Sequence, residues 1–321
     1  MSLPRLDMGR LDGACLLAAL QEHGAVHLDL PQLNASQAAS LLDAAQRFFA
    51  LPQAQKQAIA ERGAPPFRGY SRQHGERDHR EQLHFGPERA VRHGAAAFWA
   101  LQGPNPWPAD EGFAASLRAY HQTLGDVGQR LLAALAEPLG ADARRWLGDD
   151  PYHLLKVIAY PPSDGAPRPG VAAHLDWSLL TLTLQDEVGG LAAKRPDGRW
   201  MAIDPVPGTW VLHVGELLAY VSGGRLRATP HRVVNRTQAR TRLSLPLFIN
   251  PSLDVVLPAG CAELPSPVSS DHVHAVLAPG PLPPQMAFGA SEWERKAGRR
   301  WCHACCAAAP TVRDGRPEGR P

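Results

Sequence analysis

Apolar residues recur at helical spacing in the first half of the chain and at strand spacing in the second. Leu41, Leu42, Ala45, Phe48 and Phe49 share one face of a predicted helix that Asn34 and Gln37 open as a capping box and Pro52 stops. Phe113, Leu117, Tyr120, Leu124, Val127, Leu131 and Leu135 write a longer helix, which Pro138 and Gly140 end. Between the two, residues 62–108 are rich in Gly, Pro and charge and read mostly as loop with room for short strands. After residue 150 the pattern changes to short runs bounded by turn residues: 153–160, 179–185, 191–194, 200–203, 209–214, 232–235 and 243–249. Asp197-Gly198 between two of these runs is a hairpin signal, because Gly tolerates the positive φ that such turns demand. Successive short strands imply a sandwich or barrel. Residues 265–284 are Pro-rich and read as extended, and residues 291–300 predict one more helix.

Composition narrows the function classes. The 321 residues carry 33 Lys+Arg and 31 Asp+Glu, a net charge of +2 with both signs interspersed, so no nucleic-acid partner is indicated. At 44% hydrophobic and 20% charged, the chain reads as globular. Its longest apolar stretch, Thr209 to Val221, is broken by His213 and Glu216 and falls short of the roughly 20 residues that span a bilayer. The N-terminus has no apolar export signal, and the five cysteines form no disulfide framework, so a cytoplasmic location is expected. Cys302, Cys305 and Cys306 crowd a tail too polar to pack; with His303 they suggest zinc, but no second Cys pair completes four ligands.

Walker, dinucleotide-fingerprint, His-Glu-x-x-His and nucleophile-elbow motifs are absent. What remains lies in the strand-rich half. His174 and Asp176 are two residues apart, and in an extended chain such positions point to one face. His231 completes a set of two His and one Asp if its strand lies beside the first. That facial triad suits a non-haem Fe(II) site with three open positions, enough for a bidentate cosubstrate and O2. Arg242 and Ser244 repeat the two-residue spacing. A buried guanidinium without an anion costs several kcal/mol, so a dicarboxylate chelating iron at one end could meet Arg242 at the other. A structural ion pair to Asp186 or Glu187 is the competing role for Arg242. His213, on an alternating strand, reads as a satisfied core histidine rather than a fourth ligand. Phe85, Trp177, Trp200 and Phe248 either line a pocket or fill the core; Trp177 and Phe248 are the better pocket candidates, since Trp177 follows Asp176 and Phe248 shares the strand face of Ser244.

These residues resemble the Fe(II)/2-oxoglutarate-dependent dioxygenases of the isopenicillin N synthase-like branch. Phe48-Phe49-Ala50-Leu51-Pro52 with Lys56 looks like an N-terminal segment of that family. So do Arg68-Gly69-Tyr70, Asp78, Glu81 and Phe85-Gly86, and the stretch Gly103-Pro104-Asn105-Pro106-Trp107-Pro108. Tyr160-Pro161-Pro162, Leu180-Thr181-Leu182, Leu184-Gln185-Asp186, Gly189-Gly190-Leu191, Gly198-Arg199-Trp200, His231-Arg232-Val233 and Arg242-Leu243-Ser244 follow in the family's order, so the likeness spans residues 24–300. The chain departs from it at Ile158, Leu175, Ser178, His213 and Glu216, where Asn, Thr, Gly, Asn and Asp are frequent.

The resemblance implies an α+β fold with a mainly β core: a double-stranded β-helix, or jelly-roll barrel, flanked by helices. Residues 1–150 would be a mainly helical N-terminal region, 151–260 the catalytic core, 261–300 a C-terminal extension and helix, and 301–321 a flexible tail. It makes His174, Asp176 and His231 the iron ligands and places Arg242, Ser244 and Tyr160 on the distal carboxylate of 2-oxoglutarate. Trp177, Phe248 and Phe85 would be substrate-binding. The implied reaction oxidises an unactivated C–H bond of a small metabolite with Fe(II), 2-oxoglutarate and O2, releasing succinate and CO2, in a monomer or homodimer. Hydroxylation, desaturation and cyclisation remain open. The rival readings are a 2-oxoglutarate-independent oxidase of the isopenicillin N synthase type and a non-catalytic binding module on the same fold.

Overall fold

The computed structural model describes residues 2–74, 79–92, 94, 96–162, 168–235, 240–258, 287–292 and 296. In chain order the elements are β1 (Arg5–Asp7), α1 (Gly13–His23), β2 (Ala25–Asp29), α2 (Ala35–Phe49), α3 (Gln53–Gln57), β3 (Gly69–His74), β4 (His79–Phe85), α4 (Glu111–Leu139) and α5 (Ala143–Leu147). Then come β5 (Leu154–Tyr160), β6 (Arg168–His174), β7 (Leu180–Gln185), β8 (Leu191–Lys194), β9 (Trp200–Ile203), β10 (Thr209–Val214), α6 (Glu216–Val221), β11 (His231–Asn235) and β12 (Arg242–Ile249). The Asn34–Gln37 capping box forms, and α4 ends at Gly140 in the left-handed conformation.

The strands make an eight-stranded sheet, β1-β2-β10-β7-β12-β5-β4-β3, facing a four-stranded one, β6-β11-β8-β9. Together they are the double-stranded β-helix. Strand alternation divides the large sheet into two chemistries. Leu243, Leu245, Leu247 and Ile249 of β12, with Leu180, Leu182 and Leu184 of β7, point outward to the main core, where α4 covers them. On α4, Tyr120 donates to the Leu245 carbonyl (3.1 Å) and accepts from Trp210 Nε1 (3.1 Å). A Cβ at Gly128 would come within 2.3 Å of Ile249 Cδ1, so only Gly lets the helix approach the sheet this closely. Each leucine fully buried here stabilises the fold by about 1.5–3 kcal/mol. The opposite face of β7 and β12, with that of the neighbouring β10, carries Thr181, Thr183, Gln185, His213, Arg242 and Ser244 and looks into the barrel. Leu3, Ile158, Leu191, Ile203, Val211 and Val233 form a second, smaller core between the sheets.

The N-terminal half is less purely helical than its periodicity predicts. Strands β1 and β2 extend one edge of the large sheet, and the β3–β4 hairpin, inside the stretch read mostly as loop, extends the other. Ala25 to Leu28 of β2 are buried on both faces, and a strand without a wet face has no alternation to read. The predicted helix at 291–300 has helical residues at 288–292 and 296; the rest of it, the Pro-rich 265–284 segment and the Cys302–Cys306 tail lie outside the described residues. Among the described residues no helix is long and apolar enough to cross a membrane.

Several of the sequence landmarks of the N-terminal half are scaffold. Lys56 donates to Glu81 (2.6 Å), as does the Tyr70 hydroxyl (2.7 Å), and this buried cluster ties α3 to the hairpin. The buried Arg68 guanidinium donates to the carbonyls of Pro87, Leu101 and Gly103 and to Asn105, locking the loops beneath β4.

The fold also buries a titratable ring away from the barrel. His153 Nδ1 accepts from the Asn250 amide (3.2 Å), its Nε2 is buried without a partner, and burial pushes its pKa down to about 3 from 6.5. The folded state therefore refuses a proton that the unfolded chain takes up below pH 6.5, and stability falls as the pH drops from there. The cost is about 1.4 kcal/mol per pH unit until the folded value is reached. Urea unfolding between pH 7 and 4.5 should show this slope, and His153→Asn, whose carbonyl replaces Nδ1 as acceptor, should be shallower by about one proton.

Candidate metal and 2-oxo acid site

Strands β6 and β11 are antiparallel neighbours with His174 and His231 directly paired. Each imidazole is oriented by its own backbone. Nδ1–H of His174 donates to the Ala172 carbonyl (2.9 Å) and that of His231 to the Thr229 carbonyl (3.1 Å), which leaves both Nε2 lone pairs free for a metal. Asp176 is not on the strand, as simple alternation would have it; β6 ends at His174 and a turn carries the carboxylate back. Its Oδ1 lies 3.6 Å from each Nε2, and the three ligand atoms all fall within 4.8 Å of one another.

The turn is pinned from behind. Glu216 N donates to the Asp176 carbonyl (2.9 Å) and Leu217 N to that of Ser178 (3.0 Å). A Cβ at Gly215 would stand 2.1 Å from the Ser178 oxygen, so this contact requires glycine. The other carboxylate oxygen, Oδ2, accepts from Thr181 Oγ1 (2.6 Å) and His213 Nε2 (2.8 Å). Burial alone would raise the Asp176 pKa, but His231, His174 and His213 together outweigh it and hold the group well below the usual carboxylate range. Burial pushes His231 down to about 3, so its imidazole is neutral. Two imidazoles and one carboxylate are the donor set of a non-haem Fe(II) site.

Arg242 is fully buried on the inner face of β12. Its Nε donates to the Gly189 carbonyl (2.6 Å) and Nη2 to Gln185 Oε1 (3.3 Å), while Nη1 is buried without a hydrogen bond. The Tyr160 ring lies 5.0 Å from the guanidinium, and the buried Ser244 is two residues along the same face. The neighbouring acids do not occupy Nη1: Asp186, whose charge acts on the guanidinium, accepts from the amides of Leu243 (2.6 Å) and Val188 (3.1 Å), and Glu187 pairs with Arg240 (2.6 Å). A buried cation with an idle N–H is costly, and the carboxylate of a dicarboxylate is the group that relieves it. The residues thus fit both an iron and a 2-oxo diacid.

Residues 151–251 match the 2OG-Fe(II) oxygenase superfamily, and residues 9–110 match the family described as non-haem dioxygenase in morphine synthesis N-terminal. A 2-oxoglutarate-Fe(II) type oxidoreductase of Emericella nidulans is 31% identical over 245 residues, 70% of this chain and 69% of that protein. This chain belongs to the 2OG-Fe(II) oxygenase superfamily. The oxygenase is likewise 30% identical over 266 residues to a homoarginine-6-hydroxylase of Oryza sativa subsp. japonica, covering 77% of this chain and 78% of that one. Among solved structures, a 2OG-Fe(II) oxygenase family protein from Caulobacter crescentus superposes with a TM-score of 0.67 at 26% identity, over 85% of this chain and 95% of that one. The enzyme is a non-haem dioxygenase whose cofactor is Fe(II) and whose cosubstrates are 2-oxoglutarate and O2.

Not every residue predicted from sequence reaches the barrel of this oxygenase. Phe85 is a correction: it pairs with Leu155 on the outward face of the sheet, is fully buried in the main core and stacks on Trp107 at 4.5 Å. Parity along β4 puts it there, since Gln82 and His84 take the inner positions. Trp177 packs into the main core with its Nε1 buried and unpartnered. Phe248 keeps to the inner side, half-buried and paired with Thr181, the donor to Asp176. His213 is indeed a satisfied buried histidine, but its partner is the carboxylate of the metal cluster, a tie its alternating strand could not reveal.

Proposed function

We propose that this oxygenase hydroxylates an unactivated C–H bond of a small metabolite, coupled to conversion of 2-oxoglutarate to succinate and CO2. His174, Asp176 and His231 hold the iron, and Arg242, with Ser244 and Tyr160 beside it, holds the far carboxylate of the cosubstrate. The observation that carries the reading is the idle Nη1 of a fully buried Arg242 in the same barrel as the three converging ligand atoms. A site with an iron cluster alone would suit many reactions; the waiting cation selects a diacid. Bound Fe(II) and 2-oxoglutarate supply the activation of O2 for C–H oxidation.

The chain's own contribution is orientation and exclusion of water. The two backbone-anchored imidazoles and the pinned Asp176 fix one face of the metal. The fixed position of Arg242 dictates which end of the diacid points toward the iron. Phe248, directly paired with Thr181, supplies an apolar wall for the substrate. Hydroxylation is preferred over desaturation or ring closure because the homoarginine relative carries a hydroxylase name.

Screening small metabolites for substrate-stimulated succinate release under air, with mass spectrometry of the product, tests the proposal. A gain of one oxygen atom in product, in step with succinate, is expected. Product formed without any 2-oxo acid would point instead to the isopenicillin N synthase type of oxidase. Phe248→Ala should weaken primary-substrate binding by about 1.5–3 kcal/mol, seen as a raised KM for that substrate. The KM for 2-oxoglutarate should not move.

A further inference from the structure

We propose that His213 is a positioning residue that fixes Asp176 as a one-oxygen metal ligand, and that its Nε2–H, not its bulk, does so. The inference rests on the iron-binding reading above. His213 of β10 and Thr181 of β7 are directly paired across the sheet, and both side chains rise to the same atom, Asp176 Oδ2. Two hydrogen bonds, at 2.6 and 2.8 Å, saturate that oxygen and turn Oδ1 toward the two Nε2 atoms. Without them a buried carboxylate facing a dication would swing to chelate through both oxygens or rotate away, and one of the coordination positions needed by the cosubstrates would be lost.

The choice of histidine has its own consequence. Its ring also lies 4.4 Å from that of His231, centroid to centroid, tilted at 54°, so the one side chain braces two ligands, Asp176 in the turn after β6 and His231 on β11. His213 is itself outside the group whose ligand atoms converge. An Asn at this position would reach only as far as Nδ1 of a histidine, whereas Gln places its amide nitrogen where Nε2 stands.

That difference in reach supplies the test. Metal affinity of the apoprotein is measured by calorimetric titration with Co(II) or Mn(II) for wild type and for H213Q, H213N, H213L and T181V, with the apoprotein Tm recorded alongside. H213Q should bind metal within a few-fold of wild type, while H213N and H213L should lose about 10–100-fold. T181V should lose affinity in the same direction, and combining it with H213L should cost more than either change alone. A merely structural role would instead rank the variants by volume, with H213L nearest wild type and affinity losses tracking Tm; that ranking overturns the proposal. Equal affinity in all variants overturns it as well. Pulsed EPR of the Cu(II)-loaded protein should count two histidine nitrogens, unchanged in H213Q; a third histidine in wild type, lost in H213Q, would make His213 a ligand and refute the positioning role.

Discussion

Arg242→Gln should raise the concentration of 2-oxoglutarate needed for half-saturation by about 30-fold to several thousand-fold, the equivalent of about 2–5 kcal/mol for an anion left without its buried partner. Nη1 of Arg242 is fully buried and makes no hydrogen bond within the described residues, so the entering carboxylate meets a donor that needs no rearrangement. Anaerobic titration of the visible charge-transfer band of the Fe(II)–2-oxoglutarate complex measures the loss directly. Because Arg242 also supports Gly189 and Gln185, a 2-oxo monoacid serves as internal control. Wild type should favour the diacid over the monoacid by the same margin that the variant loses, and the variant should scarcely distinguish them. A variant that keeps its preference for the diacid would remove Arg242 from cosubstrate binding.

Asp176→Asn should lower metal affinity by about 3–5 kcal/mol, roughly 150- to 5,000-fold, as expected when one member of a buried charge pair is removed. The substitution keeps the shape but removes the charge facing His174 and His231. It also offers an amide at a place where His213 and Thr181 both donate, so both hydrogen bonds to Oδ2 lose their acceptor if the amide nitrogen turns that way. Co(II) titration followed by visible absorption reads the affinity, and circular dichroism separates this from loss of fold. Metal binding near wild-type strength would mean that the cluster of three side chains is not the iron site.

The two predictions call on groups that were legible in the sequence to different degrees. Strand β7, Leu-Thr-Leu-Thr-Leu-Gln, announces both faces of the large sheet, because a surface packed on α4 on one side and lining a polar barrel on the other must alternate. The Asp197-Gly198 turn between β8 and β9 and the Asn34 cap of α2 are equally local, and the structure has both. Strand β6 was not among the predicted runs: Pro169, Gly170 and Ala172 give it little β-forming character, and pairing with β11 is what makes it a strand. At Gly170 the small size serves the site, since a Cβ there would lie 2.5 Å from the Tyr160 ring beside Arg242.

The chemistry available is written in the chain order alone: two histidines, one aspartate and one arginine within the strand-rich half, in an order shared with a known family. The sequence also determined the parity that places Arg242 and Ser244 on one face, because side-chain direction along a strand follows from backbone geometry alone. Only the tertiary structure decided which face is the interior, and so sent Phe85 to the helical core and His213 to the metal cluster. Only it brought Asp176 to the two histidines, by a turn held from α6 and by hydrogen bonds from a strand pair more than thirty residues apart in the chain. Contacts of that kind depend on sheet register and on the packing of separate elements, quantities that no local pattern of residues encodes.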